Sequence, residues 1–355
     1  IKASISPDDI AFLQYTGGTT GVAKGAMLTN LNMVANMQQA SAWIKDGVDE
    51  GKDIIITALP LYHIFSLTAN CLTFMKVGAE NYLITNPRDM AGFVKELKAV
   101  PFTAITGVNT LFVGLLNTPG FNEIDFSHLK LTLGGGMAVQ KPVAERWKAA
   151  TGSPLLEAYG LTETAPAVCI NPVNLLEHNG SIGLPVPSTE VSIQDEDGRI
   201  LPQGESGELC VRGPQVMKGY WNNEDETAKV MTDDGWFKTG DVAMMDKAGF
   251  FTILDRLKDM IVVSGFNVYP NEVEAIIVGL EGVLEVGVVG EPNPNGGEII
   301  KAVIVKKDQS LTEEIVIEHC RVNLTRYKVP KIIEFKTELP KTNVGKILRR
   351  ELKST

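Results

Sequence analysis

One stretch near the start of the chain has the composition of a phosphate-binding loop. Residues 15–25 read Tyr-Thr-Gly-Gly-Thr-Thr-Gly-Val-Ala-Lys-Gly, which places four glycines, three threonines and Lys24 within eleven positions. Glycines let backbone amides approach a ligand, and successive amides form an anion-binding concavity to which threonine hydroxyls and a lysine add donors. A turn that only connects two elements is the alternative, but the lysine and the apolar flank at residues 10–13 favour phosphate binding.

This loop differs from the Walker A type of phosphate loop. The Walker A pattern requires Gly-Lys-Ser/Thr, whereas Lys24 lies between Ala23 and Gly25. A different class of nucleotide-binding loop is therefore indicated.

A second cluster combines an aromatic ring, hydroxyls and a carboxylate. Residues 159–164 read Tyr-Gly-Leu-Thr-Glu-Thr and follow a predicted strand at residues 155–158. A nucleotide site needs such a set, because a ring packs against the base, hydroxyls donate to phosphate and a carboxylate is a hard ligand for magnesium. A surface turn explains the cluster equally well.

Two further candidates follow predicted strands. His63 lies after Pro60, beyond a strand predicted at residues 53–59, and residues 134–136 are three glycines after a strand at residues 131–133. Such a histidine is more often a hydrogen-bonded core residue, although ligand clefts of α/β sheets open at strand ends. The glycines suit either a flexible turn or a flat ligand lying against bare backbone.

Charged candidates also occur in the second half of the chain. Asp241 follows an aromatic run that ends at Gly240, and residues 255–259 read Asp-Arg-Leu-Lys-Asp between two apolar runs, which marks them as a domain boundary. Lys346 follows Gly345 in a basic C-terminal segment. A solvated basic face is the default reading of that segment, but a long cation on a turn can reach a site on another domain.

The predicted elements alternate between strand and helix in the first half of the chain. Helices are expected at residues 31–43, 88–99 and 142–150, and strands at residues 53–59, 80–84, 103–106, 131–133 and 155–158. This alternation predicts an α/β fold with a mostly parallel sheet covered by helices. The phosphate loop is expected to lead into the helix at residues 31–43.

The second half of the chain reads differently. Short alternating runs at residues 190–194 and 207–212, with a turn at Asp197-Gly198, predict an antiparallel β unit that includes a strand at residues 249–254. A compact α+β unit is expected after residue 260, with strands at residues 260–263, 283–289, 299–306 and 332–335, a helix whose first turn holds Pro270, and a helix at residues 312–324.

Composition narrows the functional classes. The 355 residues carry a net charge of −10, which disfavours a nucleic-acid surface because phosphate neutralisation requires clustered basic residues. The four cysteines form no Cys-x-x-Cys pair, so a zinc site and a disulfide framework are disfavoured and a reducing, cytoplasmic setting is expected. The apolar residues 99–116 are interrupted by Pro101 and Gly107, and they predict a strand, turn and helix rather than a membrane span.

Taken together, these motifs resemble those of the adenylate-forming (ANL) superfamily, in the same order. The first loop is similar to that superfamily's Tyr-Thr-Ser-Gly-Thr-Thr-Gly-x-Pro-Lys-Gly pattern, with Gly18 in place of serine and Ala23 in place of proline. Residues 234–241, continued through residues 255–259, resemble the fatty-acid signature of bacterial long-chain fatty acyl-CoA synthetases. Residues 263–270 agree with that subfamily.

The resemblance implies a fold, a domain plan and an activity. It implies an α/β subdomain at residues 1–172, an antiparallel β subdomain at 173–255, a hinge at 256–259 and a small mobile α+β domain at 260–355. The implied reaction is ATP-dependent activation of a long-chain fatty acid to acyl-AMP, followed by transfer to CoA. Such enzymes carry further chain ahead of the first loop, so we expect this sequence to be a fragment lacking the N-terminal portion.

The resemblance also implies roles for single residues in nucleotide binding. Tyr159, next to Gly160, stacks beside adenine, Thr162 contacts the α-phosphate, and Glu163 binds magnesium. Asp241 accepts hydrogen bonds from the ribose hydroxyls and Arg256 supports the ribose. The remaining residues that contact ATP are Thr16, Gly17, Gly18, Thr19, Thr20, Gly21 and Lys24 in the first loop, and Gly135 and Gly136.

Other residues are implied in catalysis, acyl binding and domain movement. Lys346 bridges the carboxylate and the α-phosphate during attack, and it joins Lys24, Thr162 and Glu163 as the catalytic set. The acyl pocket includes His63 and Gly134. Lys258 is the pivot of the C-terminal domain, and Gly265 and Phe266 lie in the region of the hinge and of CoA.

The implied cosubstrates and cofactor are ATP, CoA and Mg²⁺, and no nucleic acid is expected. A homodimer and a peripheral contact with the inner face of the plasma membrane are compatible with this interpretation, because long-chain acids partition into bilayers. Two alternatives stay open: a ligase for an aryl or a short- or medium-chain acid, and an inactive nucleotide-binding fragment.

Overall fold

The structure is a computed structural model that describes residues 4–16, 23–293, 296–343 and 345–353. It contains two compact units. Unit 1 comprises residues 1–139, 143–239 and 244–252, and unit 2 comprises residues 140–142, 240–243 and 253–355. The domain boundaries and the hinge expected from the sequence stay predictions.

The chain begins with an antiparallel hairpin that frames the first loop. Strand β1 (Ile10–Tyr15) pairs with strand β2 (Gly25–Thr29), and Tyr15 lies opposite Gly25. Strand β2 was not predicted, and it lies between the loop and the helix that the loop is expected to lead into. Four of the five residues of β2 are buried, so its short sequence shows no alternation of polar and apolar residues.

Helix α1 (Asn30–Ile44) follows β2 and confirms the prediction for residues 31–43. Its first turn is closed by a reciprocal pair of hydrogen bonds: Asn32 N donates to Thr29 Oγ1 at 3.2 Å, and Thr29 N donates to Asn32 Oδ1 at 2.8 Å. Both bonds satisfy amides that the helix itself leaves without partners.

The main sheet of unit 1 has seven strands in the order β4-β3-β5-β6-β7-β8-β9. The first five are parallel and the last two are antiparallel, which confirms the predicted, mostly parallel sheet. Its strands and the helices between them are β3 (Ile54–Thr57), a π-helix (Phe65–Leu72) that continues into α2 (Thr73–Lys76), β4 (Glu80–Leu83), α3 (Met90–Ala99), β5 (Ala104–Gly107), α4 (Asn109–Leu116), β6 (Leu131–Gly135), α5 (Lys141–Thr151), β7 (Leu155–Gly160), β8 (Ala167–Ile170) and β9 (Leu184–Pro185).

Parallel strands bring their carboxyl ends to one edge of the sheet. In the register of β6 and β7, Gly134 lies opposite Glu157 and Gly135 lies opposite Ala158. The glycines at the end of β6 and the cluster at the end of β7 are therefore neighbours, although the sequence separates them.

A second sheet has the order β10-β11-β12-β13. Its elements, with one helix between them, are β10 (Glu190–Gln194), β11 (Ser206–Arg212), α6 (Glu224–Val230), β12 (Phe237–Met245) and β13 (Phe251–Arg256). Strands β10 and β11 are antiparallel, as predicted. The turn expected at Asp197-Gly198 is present, with Gly198 N donating to Asp195 O at 3.0 Å.

Unit 2 continues with an α+β arrangement. Its elements are β14 (Ile261–Val263), β15 (Phe266–Val268), α7 (Pro270–Val278), β16 (Val283–Pro292), β17 (Glu298–Lys306), α8 (Glu313–Asn323) and β18 (Ile332–Lys336). Helix α7 has Pro270 in its first turn and α8 is capped by Thr312, as the sequence predicts.

None of the helices within the described residues combines the length and apolar character that crossing a membrane requires. The apolar stretch at residues 99–116 forms β5 and α4, with Ile105 and Phe112 fully buried. This confirms the prediction of a strand and a helix in that stretch.

Candidate active site

The two ends of the first loop are joined by the β1–β2 hairpin. Thr16 N donates to Lys24 O at 2.9 Å, and Lys24 N donates to Thr16 Oγ1 at 3.4 Å. Residues 17–22, which include the candidates Gly17, Gly18, Thr19, Thr20 and Gly21, lie outside the described part of the chain. The described residues therefore place Thr16 and Lys24 at the mouth of the loop.

The ammonium group of Lys24 contacts a carboxylate and an aromatic ring. Lys24 Nζ lies 2.5 Å from Glu226 Oε2 and 4.8 Å from the centre of the Tyr220 ring. Hydrogen bonds from Lys229 and from Lys24 lower the pKa of Glu226 to about 2. Glu226 is thus an anion that pairs with Lys24.

Glu163 lies in a short 3-10 turn (Thr162–Thr164) directly after β7. Its Oε1 accepts a hydrogen bond from Tyr220 Oη at 2.7 Å, and its backbone carbonyl accepts one from Met217 N at 2.8 Å. Burial and, secondly, the Glu163 carboxylate raise the pKa of Tyr220, so its phenol stays protonated and donates. Tyr220 therefore touches both Lys24 and Glu163.

The donor chemistry of this site fits a magnesium ion that arrives with a nucleotide. Within residues 4–16, 23–293, 296–343 and 345–353, no group of three or more His, Cys, Asp or Glu side chains could hold a metal by itself. Mg²⁺ in phosphate-transfer sites is bound through one or two carboxylates, water and substrate phosphates, so the single carboxylate of Glu163 suffices.

Glycines line the edge of the main sheet next to this turn, and packing accounts for two of them. A Cβ on Gly160 would lie 2.0 Å from Pro166 O, and one on Gly134 would lie 2.4 Å from Val139 Cγ2. A Cβ on Gly135 would lie 3.1 Å from the Phe65 ring, and Gly136 has a φ of 76°. The predicted ligand contacts of these glycines stay predictions.

The segment that holds His63 connects β3 to the π-helix. His63 Nδ1 accepts from Phe65 N at 3.3 Å, and Gln14 Nε2 in β1 donates to Tyr62 O at 2.7 Å. His63 is half-buried.

Tyr159 lies in β7 opposite Cys169. Unit 1 thus holds Thr16, Lys24, His63, Tyr159, Thr162, Glu163 and the four glycines.

The remaining candidates lie in unit 2. Arg256 Nε lies 3.3 Å from Asp241 Oδ1, so the predicted ribose pair is an ion pair in which Asp241 is buried and Arg256 is half-buried. Burial and, secondly, the charge of Arg256 lower the pKa of Lys258. Asp241, Arg256 and Lys258 are therefore close together.

Lys346 lies in a narrow loop near the C-terminus. Thr342 N donates to Lys346 O at 2.8 Å, and Lys346 N donates to Thr342 Oγ1 at 3.1 Å. These bonds fix the backbone at Lys346. Its catalytic role stays a prediction.

Phe266 belongs to an aromatic and basic surface of unit 2. It is exposed and stacks on Tyr327 with 4.8 Å between ring centres, and Gly265 before it has a φ of 84°. A cavity of about 350 Å³ lies beside this pair and is lined by residues that include Arg326, Tyr327 and Lys331.

The sequence did not single out Tyr220 or Glu226. Glu226 is 202 positions from Lys24, and the run Asn223-Glu224-Asp225-Glu226 reads as an ordinary helix start with a capping Asn and an acidic first turn. Because that pattern is fully explained by α6, it carries no sign of a lysine partner.

This chain matches two family models in separate parts, and it is similar to known proteins over nearly its whole length. Residues 1–221 match the AMP-binding enzyme family, and residues 272–346 match the AMP-binding enzyme C-terminal domain. The chain is 59% identical over 353 residues to the long-chain-fatty-acid–CoA ligase of Escherichia coli O6:H1, covering 99% of this chain and 63% of that protein. It is 38% identical to the feruloyl-CoA synthase of Amycolatopsis sp, covering 98% and 70% respectively.

A solved structure has the same fold. The ATP-bound structure of MatB from Rhodopseudomonas palustris matches with a TM-score of 0.89 and 32% identity, covering 98% of this chain and 68% of that chain. The predicted fold class is therefore confirmed. The chain belongs to the AMP-binding enzyme family and has the fold of the adenylate-forming enzymes.

Proposed function

We propose that the protein containing this chain is an AMP-forming long-chain-fatty-acid–CoA ligase. The observation that carries the proposal is that Tyr220 contacts both Lys24 and Glu163. One site therefore has a cation for phosphate and a carboxylate for magnesium. The 59% identity to a long-chain-fatty-acid–CoA ligase supports the substrate class. This chain spans 63% of that relative, so the activity is proposed for the whole protein.

The first half-reaction solves a leaving-group problem. A carboxylate is a poor acyl donor, so its oxygen attacks the α-phosphorus of ATP, the bond to the β-phosphate oxygen breaks, and acyl-AMP and pyrophosphate result. Lys24 and Lys346 stabilise the charge that gathers on phosphate, while Thr162 donates to the α-phosphate. A bound Mg²⁺ held by Glu163 supplies further charge neutralisation.

The second half-reaction releases AMP. The thiolate of CoA attacks the acyl carbonyl, a C–S bond forms, and the bond to the AMP oxygen breaks. The surface around Phe266 and Tyr327 suits CoA, because its rings offer stacking area and Arg326 and Lys331 offer charge for phosphates. Asp241, oriented by Arg256, accepts hydrogen bonds from the ribose of the adenylate.

A second candidate is a ligase for an aryl or a shorter acid. The similarity to a feruloyl-CoA synthase supports this candidate. An aryl ligase and a fatty-acid ligase would differ in the acyl pocket and not in the nucleotide site. His63 and Gly134 are the residues that we assign to the wall of the acyl pocket. A nucleotide-binding piece without turnover is the third candidate for this chain taken alone.

ATP–pyrophosphate exchange separates these candidates. The assay compares palmitate with benzoate, on this chain and on a chain extended to the length of its relatives. We expect palmitate to drive exchange in the extended protein. Exchange with benzoate alone would select the aryl ligase, and ATP binding without exchange in the short chain only would identify it as a binding piece.

A cytoplasmic location, a homodimer and a peripheral contact with the membrane complete the proposal. The membrane contact is motivated by the partitioning of long-chain acids into bilayers. Flotation of the extended protein with lipid vesicles, with and without palmitate, tests it directly.

A further inference from the structure

Tyr220 lies between two charged side chains that unit 1 supplies to the site. Its hydroxyl donates to Glu163 Oε1 at 2.7 Å, and the centre of its ring lies 4.8 Å from Lys24 Nζ. The residue is 6% exposed. One buried ring therefore contacts a carboxylate through its hydroxyl and an ammonium group through its π face.

The backbone of Tyr220 is attached to the hairpin that carries Lys24. Met27 N donates to Gly219 O at 2.9 Å, Lys218 N donates to Met27 O at 3.0 Å, and Trp221 N donates to Gly25 O at 2.8 Å. Residues 218–221 thus lie beside β2, with an antiparallel bridge between Ala26 and Tyr220, and β2 begins one residue after Lys24.

Helix α6 holds the other side of Tyr220. Tyr220 N donates to Thr227 Oγ1 at 2.9 Å, and Thr227 belongs to the same helix as Glu226. The segment from residue 218 to α6 therefore brings both Tyr220 and Glu226 to Lys24. These bonds hold the backbone of Tyr220, and none of them involves the side chain of Lys24 or Glu226.

The two contacts of Tyr220 have different chemistry. A hydroxyl that donates to a metal-binding carboxylate fixes the orientation of that carboxylate, and loss of such a partner typically lowers metal affinity or activity about 10–100-fold. An aromatic face close to an ammonium group attracts it electrostatically and favours one direction of its flexible stem.

We propose that Tyr220 is a positioning residue that holds Glu163 for magnesium with its hydroxyl and directs Lys24 towards the triphosphate with its ring. This inference rests on the proposed function, since it assigns Glu163 and Lys24 to Mg²⁺ and ATP. The hydroxyl and the ring make separate contributions, so two substitutions distinguish them.

The first test is Tyr220→Phe, which removes the hydroxyl and keeps the ring. We expect the Mg²⁺ concentration needed for half-maximal ATP–pyrophosphate exchange to rise about 10-fold. ATP binding measured by calorimetry without Mg²⁺ should stay unchanged, because the contact with Lys24 persists. Tyr220→Leu, which removes the ring too, should weaken ATP binding even without Mg²⁺.

Tyr82→Phe is the matched control. Tyr82 in β4 is also a tyrosine beside a carboxylate, since burial and, secondly, the charge of Glu96 raise the pKa of its hydroxyl, but neither residue belongs to the site. Removal of this hydroxyl should leave the Mg²⁺ requirement unchanged. An equal change of the Mg²⁺ requirement in Tyr82→Phe and Tyr220→Phe would overturn the inference, because it would mean that Tyr220 acts only through stability.

A double-mutant cycle with Glu163→Gln tests whether Tyr220 acts on Mg²⁺ binding through Glu163. If Tyr220 acts through Glu163, Tyr220→Phe has no further effect on Mg²⁺-dependent ATP binding in the Glu163→Gln background. Additive effects would contradict the inference, as would wild-type Mg²⁺ dependence in Tyr220→Phe. If Tyr220→Phe does not fold, Glu163→Gln replaces it as the test variant. The inference then requires that Glu163→Gln raises the Mg²⁺ requirement.

Calorimetry separates failure of the inference from failure of the proposed function. A wild-type protein that binds MgATP but shows no exchange would remove the ligase proposal, while the comparison of Mg²⁺-dependent binding would still decide the role of Tyr220. A wild-type protein that binds ATP equally with and without Mg²⁺ would overturn both.

Discussion

Lys24 and Arg349 are both cations with carboxylate partners, but their surroundings differ. Lys24 has 31% of its side chain exposed and pairs with Glu226. Arg349 has 16% exposed and contacts Asp255 at 2.7 Å and Glu274 at 2.9 Å. Pairs open to solvent contribute little to stability, whereas breaking a buried pair leaves a charge without compensation.

The network around Arg349 ties its partners together as well. Asp255 is buried and accepts further hydrogen bonds from Arg256 N at 2.8 Å and Asn271 N at 2.7 Å, while Arg349 Nη2 donates to Asn271 Oδ1 at 2.6 Å. Burial by itself lowers the pKa of Arg349, but the carboxylates of Glu274 and Asp255 outweigh it and raise the pKa.

The two cations differ in how many carboxylate partners they have, and this number corresponds to the role of each side chain. Under the proposed function Lys24 exchanges its carboxylate partner for a phosphate, and its contacts are accordingly few and partly open to solvent. A cation with several buried partners, such as Arg349, holds segments of the chain in place: here the end of β13, the start of α7 and the segment that follows Lys346.

The largest effect is expected from Arg349→Met. Removing the guanidinium leaves Asp255 and Glu274 without their cation, so we expect a loss of about 3–5 kcal/mol in the free energy of unfolding of unit 2. Urea denaturation monitored by hydrogen exchange in unit 2 measures it. Arg350→Met is the control, because Arg350 is exposed and should change stability little.

If Arg349→Met does not fold, Arg349→Lys keeps the charge but not the fork of donors, and an intermediate loss is expected. Unchanged stability in either variant would remove the contrast with Lys24.

The next largest effect is expected from Lys24→Met, and it should fall on activity. Loss of one cation aimed at developing phosphate charge typically lowers the rate about 10²–10³-fold, so exchange of pyrophosphate should fall by that factor. The unfolding midpoint should stay close to that of the wild type. A variant that loses stability and keeps its exchange rate would reverse the comparison.

Asp241→Ala should produce a smaller change, in nucleotide affinity. Hydrogen bonds to a charged group are worth about 1.5–3 kcal/mol, which corresponds to a 10- to 100-fold weaker binding of ATP. The side chain of its partner Arg256 is 41% exposed and should be held as loosely as that of Lys24. Calorimetric titration with ATP measures the affinity, and wild-type binding would argue against contact with the ribose.

The smallest effect is expected from Glu226→Gln, which should strengthen ATP binding instead of weakening it. The pKa of Glu226 is lowered from 4.5 to about 2, so the stabilisation from its ion pair is complete above pH 4.5 and is lost as the pH falls through about 2. At pH 7 Glu226 is therefore an anion, and under the proposed role of Lys24 its removal should tighten ATP binding by about a few-fold at most.

Titration of ATP at pH 7 into the wild type and Glu226→Gln measures this competition. Glu224→Gln in the same helical turn is the control, because no contact between Glu224 and Lys24 is present within the described residues. Weaker binding in Glu226→Gln would show that Glu226 assists ATP instead of competing with it.

Much of the fold could be predicted from the sequence because the signals are local. The apolar spacing after Thr29, Pro270 at the first turn of α7 and the strand–helix alternation each act within a few residues, and these elements have the predicted type. The motifs likewise marked Lys24, Glu163 and Asp241 by residue type and neighbours, without any knowledge of their partners.

Only the tertiary structure decided which side chains meet. The attachment of residues 218–221 to β2 and the contacts of Tyr220 with Lys24 and Glu163 join segments that are far apart in the chain. The network of Arg349 arises in the same way. Periodicity and capping describe a residue's own helix or strand, and they carry no information about a partner about 200 positions away, because that partner is selected by packing and charge once the chain has folded.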